Sequence, residues 1–112
     1  MDILLTTDAC TMPTAERPLR LAEFDDLFAS SLSGLTVGAG VRMRLRHDAG
    51  LRDRVLDLTA RESACCSFFA FTVDGSAAEV ELSIDVPPAQ RDVLDALAAR
   101  AAEVSGVIPG RA

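Results

Sequence analysis

Two segments of the chain alternate apolar and polar residues with the two-residue period of a half-buried strand. In Val41-Arg42-Met43-Arg44-Leu45-Arg46 the apolar side chains share one side and three arginines the other. From Glu79 to Val86, the residues Val80, Leu82, Ile84 and Val86 face one way while Glu79, Glu81, Ser83 and Asp85 face the other. The basic and acidic rows are opposite in sign, which predicts that the two strands are neighbours. Phe68 to Val73, rich in aromatic and β-branched residues, predicts a third strand, joined to the last by an Asp74-Gly75 turn.

Between these strands the period lengthens. Leu21, Phe24, Leu27, Phe28 and Leu32 recur at spacings of three and four, which predicts a helix over about 19–32 with Pro18 in its first turn. Gly34, Gly38 and Gly40 then read as the end of that helix and a loose connection. Asp48 suits the N-cap of a second helix over 50–66, with Leu51, Val55 and Leu58 as its inner stripe. Pro87 and Pro88 open a third, 88–104, which turns Val93, Leu94, Leu97, Ala101 and Val104 inward. Residues 1–13 read as an N-terminal arm carrying Cys10 in a loop, and 106–112 as a flexible tail.

The expected fold is therefore α+β. It is a two-layer sandwich whose antiparallel or mixed three-stranded sheet is covered by about three helices. Strand 79–86 lies between the other two, giving a split β-α-β unit with a right-handed crossover plus a hairpin. A chain of 112 residues, 49% hydrophobic and 25% charged, makes one domain over 1–112 able to bury a core without metal or disulfide support.

A net charge of -6 argues against nucleic-acid binding, which needs clustered cations. The apolar run Ile3 to Leu5 is too short for a signal-peptide core or a membrane span. The expected location is the cytoplasm, where thiols stay reduced, and three cysteines cannot all pair within one chain.

Those cysteines are the distinctive chemistry. On a helical wheel Glu62, Cys65 and Cys66 continue the Leu51-Val55-Leu58 stripe within roughly 100°. Glu62 precedes the two thiols by three and four residues, so its carboxyl can meet either sulfur on one surface. The plain alternative makes each cysteine a small core hydrophobe and puts Glu62 at the stripe's edge, reaching water.

Adjacent sulfurs diverge by about 100° in a helix, so gripping one ion takes a third donor. Cys10 is the only soft ligand left, and three thiolates select a soft ion of mercury, arsenite or cuprous type. Zinc fits less well: there is no C-x-x-C, and His47, the single histidine, reads as a surface residue. A disulfide between Cys65 and Cys66 is disfavoured by the geometry of adjacent helical residues, whereas one from Cys10 to either stays open. An activated thiolate near a helix C-terminus and beside an acid would need Arg17 or Arg61 folded over it. Phe68, Phe69 and Phe71 read as core or as a dry wall beside the thiols, and Arg42, Arg44 and Arg46 as a solvated sheet face.

The run Asp8-Ala-Cys-Thr-Met-Pro-Thr-Ala-Glu-Arg-Pro-Leu-Arg-Leu-Ala-Glu-Phe-Asp-Asp-Leu-Phe28, with Glu62-Ser-Ala-Cys-Cys-Ser-Phe-Phe69, resembles a group of small uncharacterised bacterial proteins that often accompany metal-responsive regulators. That resemblance spans most of the chain and implies a setting in heavy-metal resistance, without an established activity. Over a few residues, Cys65-Cys66 ahead of Phe68 and Phe69 is similar to organomercurial lyase, in which two thiolates hold mercury and a carboxylate relays the proton that splits the carbon–metal bond. This likeness implies thiolate roles for Cys10 and one of Cys65 or Cys66, and Glu62 or Asp8 as the catalytic acid. The lyase family's carboxylate follows its first cysteine by three residues, where this chain has Pro13.

The leading expectation is a cytoplasmic thiolate protein holding a soft metal or metalloid ion through Cys10, Cys65 and Cys66. A lyase-like enzyme using the same residues comes second, and a partner-binding module with packed cysteines third. The expected partners are a metal ion or small thiophilic ligand, with no nucleic acid, no membrane and no other cofactor. A homodimer is an open assembly.

Overall fold

A computed structural model describes residues 17–65 and 68–111, with the side chains of 22–64 and 68–111. The elements are α1 (Arg17–Ser31), β1 (Leu32–Val37), β2 (Val41–Arg46), α2 (Leu51–Cys65), β3 (Ala70–Gly75), β4 (Glu79–Asp85), a 3-10 turn (Pro88–Gln90), α3 (Arg91–Ser105) and β5 (Gly110–Arg111). The fold is α+β, with three helices and one mixed sheet among the described residues.

Strand order is β3-β4-β2-β1-β5. β4 is antiparallel to both neighbours, so β2 and β3 run the same way and α2 joins them across it, a split β-α-β unit. The register pairs Arg44 with Glu81 and Arg46 with Glu79, as the opposite charge rows predict, and Arg42 with Ser83.

The sheet has five strands rather than three. Leu32–Val37, expected as a helix end and a loose glycine connection, forms β1 in a hairpin with β2. Its alternation is hidden because Leu32 and Leu35 are three residues apart, yet both turn inward. A register shift between Leu32 and Gly34 absorbs the extra residue. Gly38 and Gly40 close this hairpin, the Gly38 amide donating to the Gly40 carbonyl at 2.9 Å. The last residues, expected to fray, include β5, which pairs parallel with Thr36 and Val37.

Two boundaries shift. β3 starts two residues later than predicted, and Asp74, expected in a turn, sits in the ladder opposite Glu81. The reversal falls at 76–78, where the Ser76 amide donates to the Glu79 carbonyl at 2.7 Å. Gly75 enters it at φ 103°, where an added Cβ would strike that same carbonyl. Asp48 acts two residues ahead of the N-cap position, Gly50: its carboxylate accepts from the Gly50 amide at 2.9 Å, and its carbonyl accepts from the Leu51 amide.

The buried hydrophobics form one cluster. Val41, Met43, Leu45, Val80, Leu82 and Ile84 supply its floor. α2 packs on β3 and β4, α3 on β1, and α1 against α3, β1 and β2. The predicted stripes of the three helices face this floor at Phe24, Leu27, Phe28 and Leu32, at Leu51, Val55 and Leu58, and at Val93, Leu94, Leu97 and Ala101, while Val104 is only half-buried and the side chain of Leu21 lies outside the described ones.

Candidate functional site

The site is built on the stripe of α2. Leu51, Val55, Leu58 and Thr59 are buried, and the Thr59 hydroxyl is satisfied by the Val55 carbonyl at 2.8 Å. Glu62 ends the stripe at 9% exposure, one turn before the helix finishes at Cys65. So deep a carboxylate needs a partner, and Glu62 is not without one. Beyond the helix, Phe68 and Phe69 stand with ring centroids 4.6 Å apart, and Phe69 and Phe71 5.3 Å apart, an apolar wall leading into β3.

Two carboxylates orient α1. Glu23 and Asp25, two residues apart, project roughly 200° apart on the helix and so reach opposite flanks. Arg61 of α2 donates to both Glu23 carboxylate oxygens at 2.9 and 2.8 Å, and through Nε to Asp57 at 3.0 Å. Arg100 of α3 grips Asp25 in the same bidentate way, at 2.9 and 2.7 Å. Hydrogen bonds to Glu23 and then to Asp57 push the Arg61 guanidinium above its already high range, and Asp25 does the same for Arg100. Held by Glu23 of α1 and by Asp57 of its own helix, Arg61 is poorly disposed to serve as the cation that would activate a thiolate.

The same contacts give direction. Asp26, Ala29 and Ser30 share a shallow surface hollow with Arg54 and His47. Moving forward from Glu23 to Ser30 along α1 thus accompanies moving back from Arg61 to Arg54 along α2, so the helices run antiparallel. The first turn of α1 and the last turn of α2 lie at one end of the molecule.

Of the predicted site residues, Glu62 has its side chain described. Cys65 closes α2 with its backbone described, while Asp8, Cys10 and Cys66 lie outside the described residues. Among the described residues no group of three or more His, Cys, Asp or Glu is arranged to hold a metal ion. His47 is a surface residue, its ring half-exposed and Nδ1 3.5 Å from Asp48.

Sequence reasoning missed the Glu23–Arg61 and Asp25–Arg100 clamps. The only signal for them was the pair of acids two residues apart on a helix otherwise read for its apolar stripe. The face bearing Arg42 and Arg44 is exposed, as the expected solvated sheet face is; what sequence reasoning did not foresee is its shape, an open concavity of about 1120 Å³ that Thr36, Arg42, Arg44, Thr72, Glu81 and Ser83 help to line. Arg46 meets Glu79 there at 3.3 Å, whereas Arg42, Arg44, Glu81 and Asp85 form no ion pair among the described residues.

Among the described residues, fold and site together define an α+β protein whose three helices pack on one face of a five-stranded mixed sheet. Comparison with family models, curated proteins and solved structures finds no match for the chain. Among the described residues no helix is long and apolar enough to cross a membrane.

Proposed function

We propose that this protein works in the cytoplasm, capturing a soft metal or metalloid ion of mercury, arsenite or cuprous type on the thiolates of Cys10, Cys65 and Cys66. Glu62 is the adjoining acid, orienting a ligand or handling its proton. The supporting observation is the antiparallel run of α1 and α2, which starts α1 at the end of the molecule where α2 finishes in Cys65. Cys10 precedes Arg17 by seven residues, a tether of at most about 25 Å when extended. A tether of that length lets the Cys10 thiol reach the α2 terminus. The buried stripe and the phenylalanine wall supply dry surroundings that favour soft, covalent ligation over hydrated cations.

Titration of the reduced protein with mercuric ion or arsenite, followed by thiolate-to-metal absorption, tests the reading. One tight equivalent is expected, weakened separately by Cys10→Ser and Cys66→Ser. Absorption without a defined stoichiometry, indifferent to both substitutions, would leave the cysteines as packing residues of a partner-binding module.

A lyase activity is the second reading, favoured by the burial of Glu62. In it the carbon–mercury bond breaks as carbon takes the carboxyl proton and the thiolates keep the metal. Hydrocarbon release from an organomercurial, lost in Glu62→Gln while mercuric binding survives, separates the enzyme from the carrier.

A further inference from the structure

The two central strands carry opposite charges on the face that, among the described residues, no helix covers. β2 presents Arg42, Arg44 and Arg46, and β4 presents Glu79, Glu81 and Asp85, all exposed. We propose that this face is the interface of a homodimer. Two copies stack sheet to sheet about a twofold axis that runs parallel to the strands, midway between β2 and β4.

Such an axis lays β2 of one copy over β4 of the other while preserving position along the strand. Because Arg44 is level with Glu81 and Arg46 with Glu79, while Arg42 is level with Ser83, Arg44 and Arg46 of one copy then meet glutamates of the other and Arg42 meets a serine, twice over by symmetry. No other placement of the axis uses the observed register so fully.

Three observations support a second copy as the occupant. The chain carries -6 overall, so copies repel across most of their surface. Three of its eleven cationic residues stand in β2 beside three acids of β4, which makes this patch nearly neutral. Arg42, Arg44, Glu81 and Asp85 have no ion-pair partner within the described chain, and the one pair on the face, Arg46–Glu79, has side chains 67% and 62% exposed. Small residues such as Gly34, Thr36 and Ser83 leave the concavity that long side chains of a facing sheet would fill. Ile108 stands on its rim at 87% exposure as an apolar contact. A purely acidic peptide or a nucleic acid would satisfy the arginines but meet repulsion from the acidic row.

Sedimentation equilibrium of the full chain at low salt should give twice the chain mass, shifting toward monomer as salt rises. Arg44→Glu and Glu81→Arg, both at exposed positions, should each weaken association by roughly tenfold or more, with circular dichroism unchanged, because each sets like charges face to face. An equimolar mixture of the two variants should recover the dimer, since the two reversed charges then attract each other at one contact and the unaltered Arg44 and Glu81 do so at the other. A wild-type chain that stays monomeric at every concentration overturns the proposal. So does a mixture no more associated than its components.

Discussion

The strands β2 and β4 show two faces made by the same thirteen backbone positions, six and seven residues, and governed by different physics. Inward, Met43, Leu45, Val80 and Leu82 lose essentially all contact with water and join the single core. Outward, one residue along, Arg44, Arg46, Glu79 and Glu81 stay solvated. The inner face holds the fold together through close packing, where a missing methyl group is felt. The outer face contributes little to folding and is therefore free to carry recognition.

The sharpest way to break that contrast is to truncate neighbours. Leu82→Ala, at a fully buried position, should cost about 3 kcal/mol through lost transfer energy and a residual cavity. Glu81→Ala, one residue away on the open face, should stay within about 0.5 kcal/mol. Urea unfolding at constant m-value measures both. Similar losses at the two positions would show that the outer row is part of the stabilising structure.

That alternation was legible in the chain because β2 and β4 keep strict period two with unmixed charge rows, and the rows also revealed their pairing. β1 was not legible: Leu32 and Leu35 satisfy the core only through a bulge, and the glycines that make its hairpin look like a loose connection. β5 pairs over two residues, too few for any period to register. For the candidate site, the burial of Glu62 followed from the helical wheel. The opposed directions of α1 and α2 did not, because they depend on which arginine of a flanking helix each acid finds. Cys10 and Cys66 lie outside the described residues, so the thiol cluster remains a proposal drawn from residue type and spacing.

A second contrast lies in the turn that joins β3 to β4. Gly75 holds φ 103° with the Glu79 carbonyl against it, whereas Gly106, the left-handed cap of α3 at φ 78°, faces open space. Gly75→Ala should cost about 2 kcal/mol, combining backbone strain with a steric clash, and Gly106→Ala about 1 kcal/mol from strain alone. Thermal denaturation of the pair reads the difference, and equal shifts would mean the close approach at Gly75 relaxes without cost.

The smallest effects concern the ion pairs, and they sharpen the comparison of faces. Arg100 and Asp25 meet bidentately between α3 and α1, their side chains 34% and 23% exposed. A double-mutant cycle with Arg100→Met and Asp25→Asn should yield a coupling of about 1 kcal/mol. Arg46 and Glu79 touch through one bond on the open face, where water screens the attraction and ordering two long side chains cancels much of it. The same cycle with Arg46→Met and Glu79→Gln, run dilute enough to be monomeric, should give no more than about 0.3 kcal/mol. A coupling near that of Arg100 and Asp25 would mean the charge rows act within one chain as a brace between β2 and β4. A value near zero in the monomer, rising at concentrations where the protein associates, would place their contribution between chains.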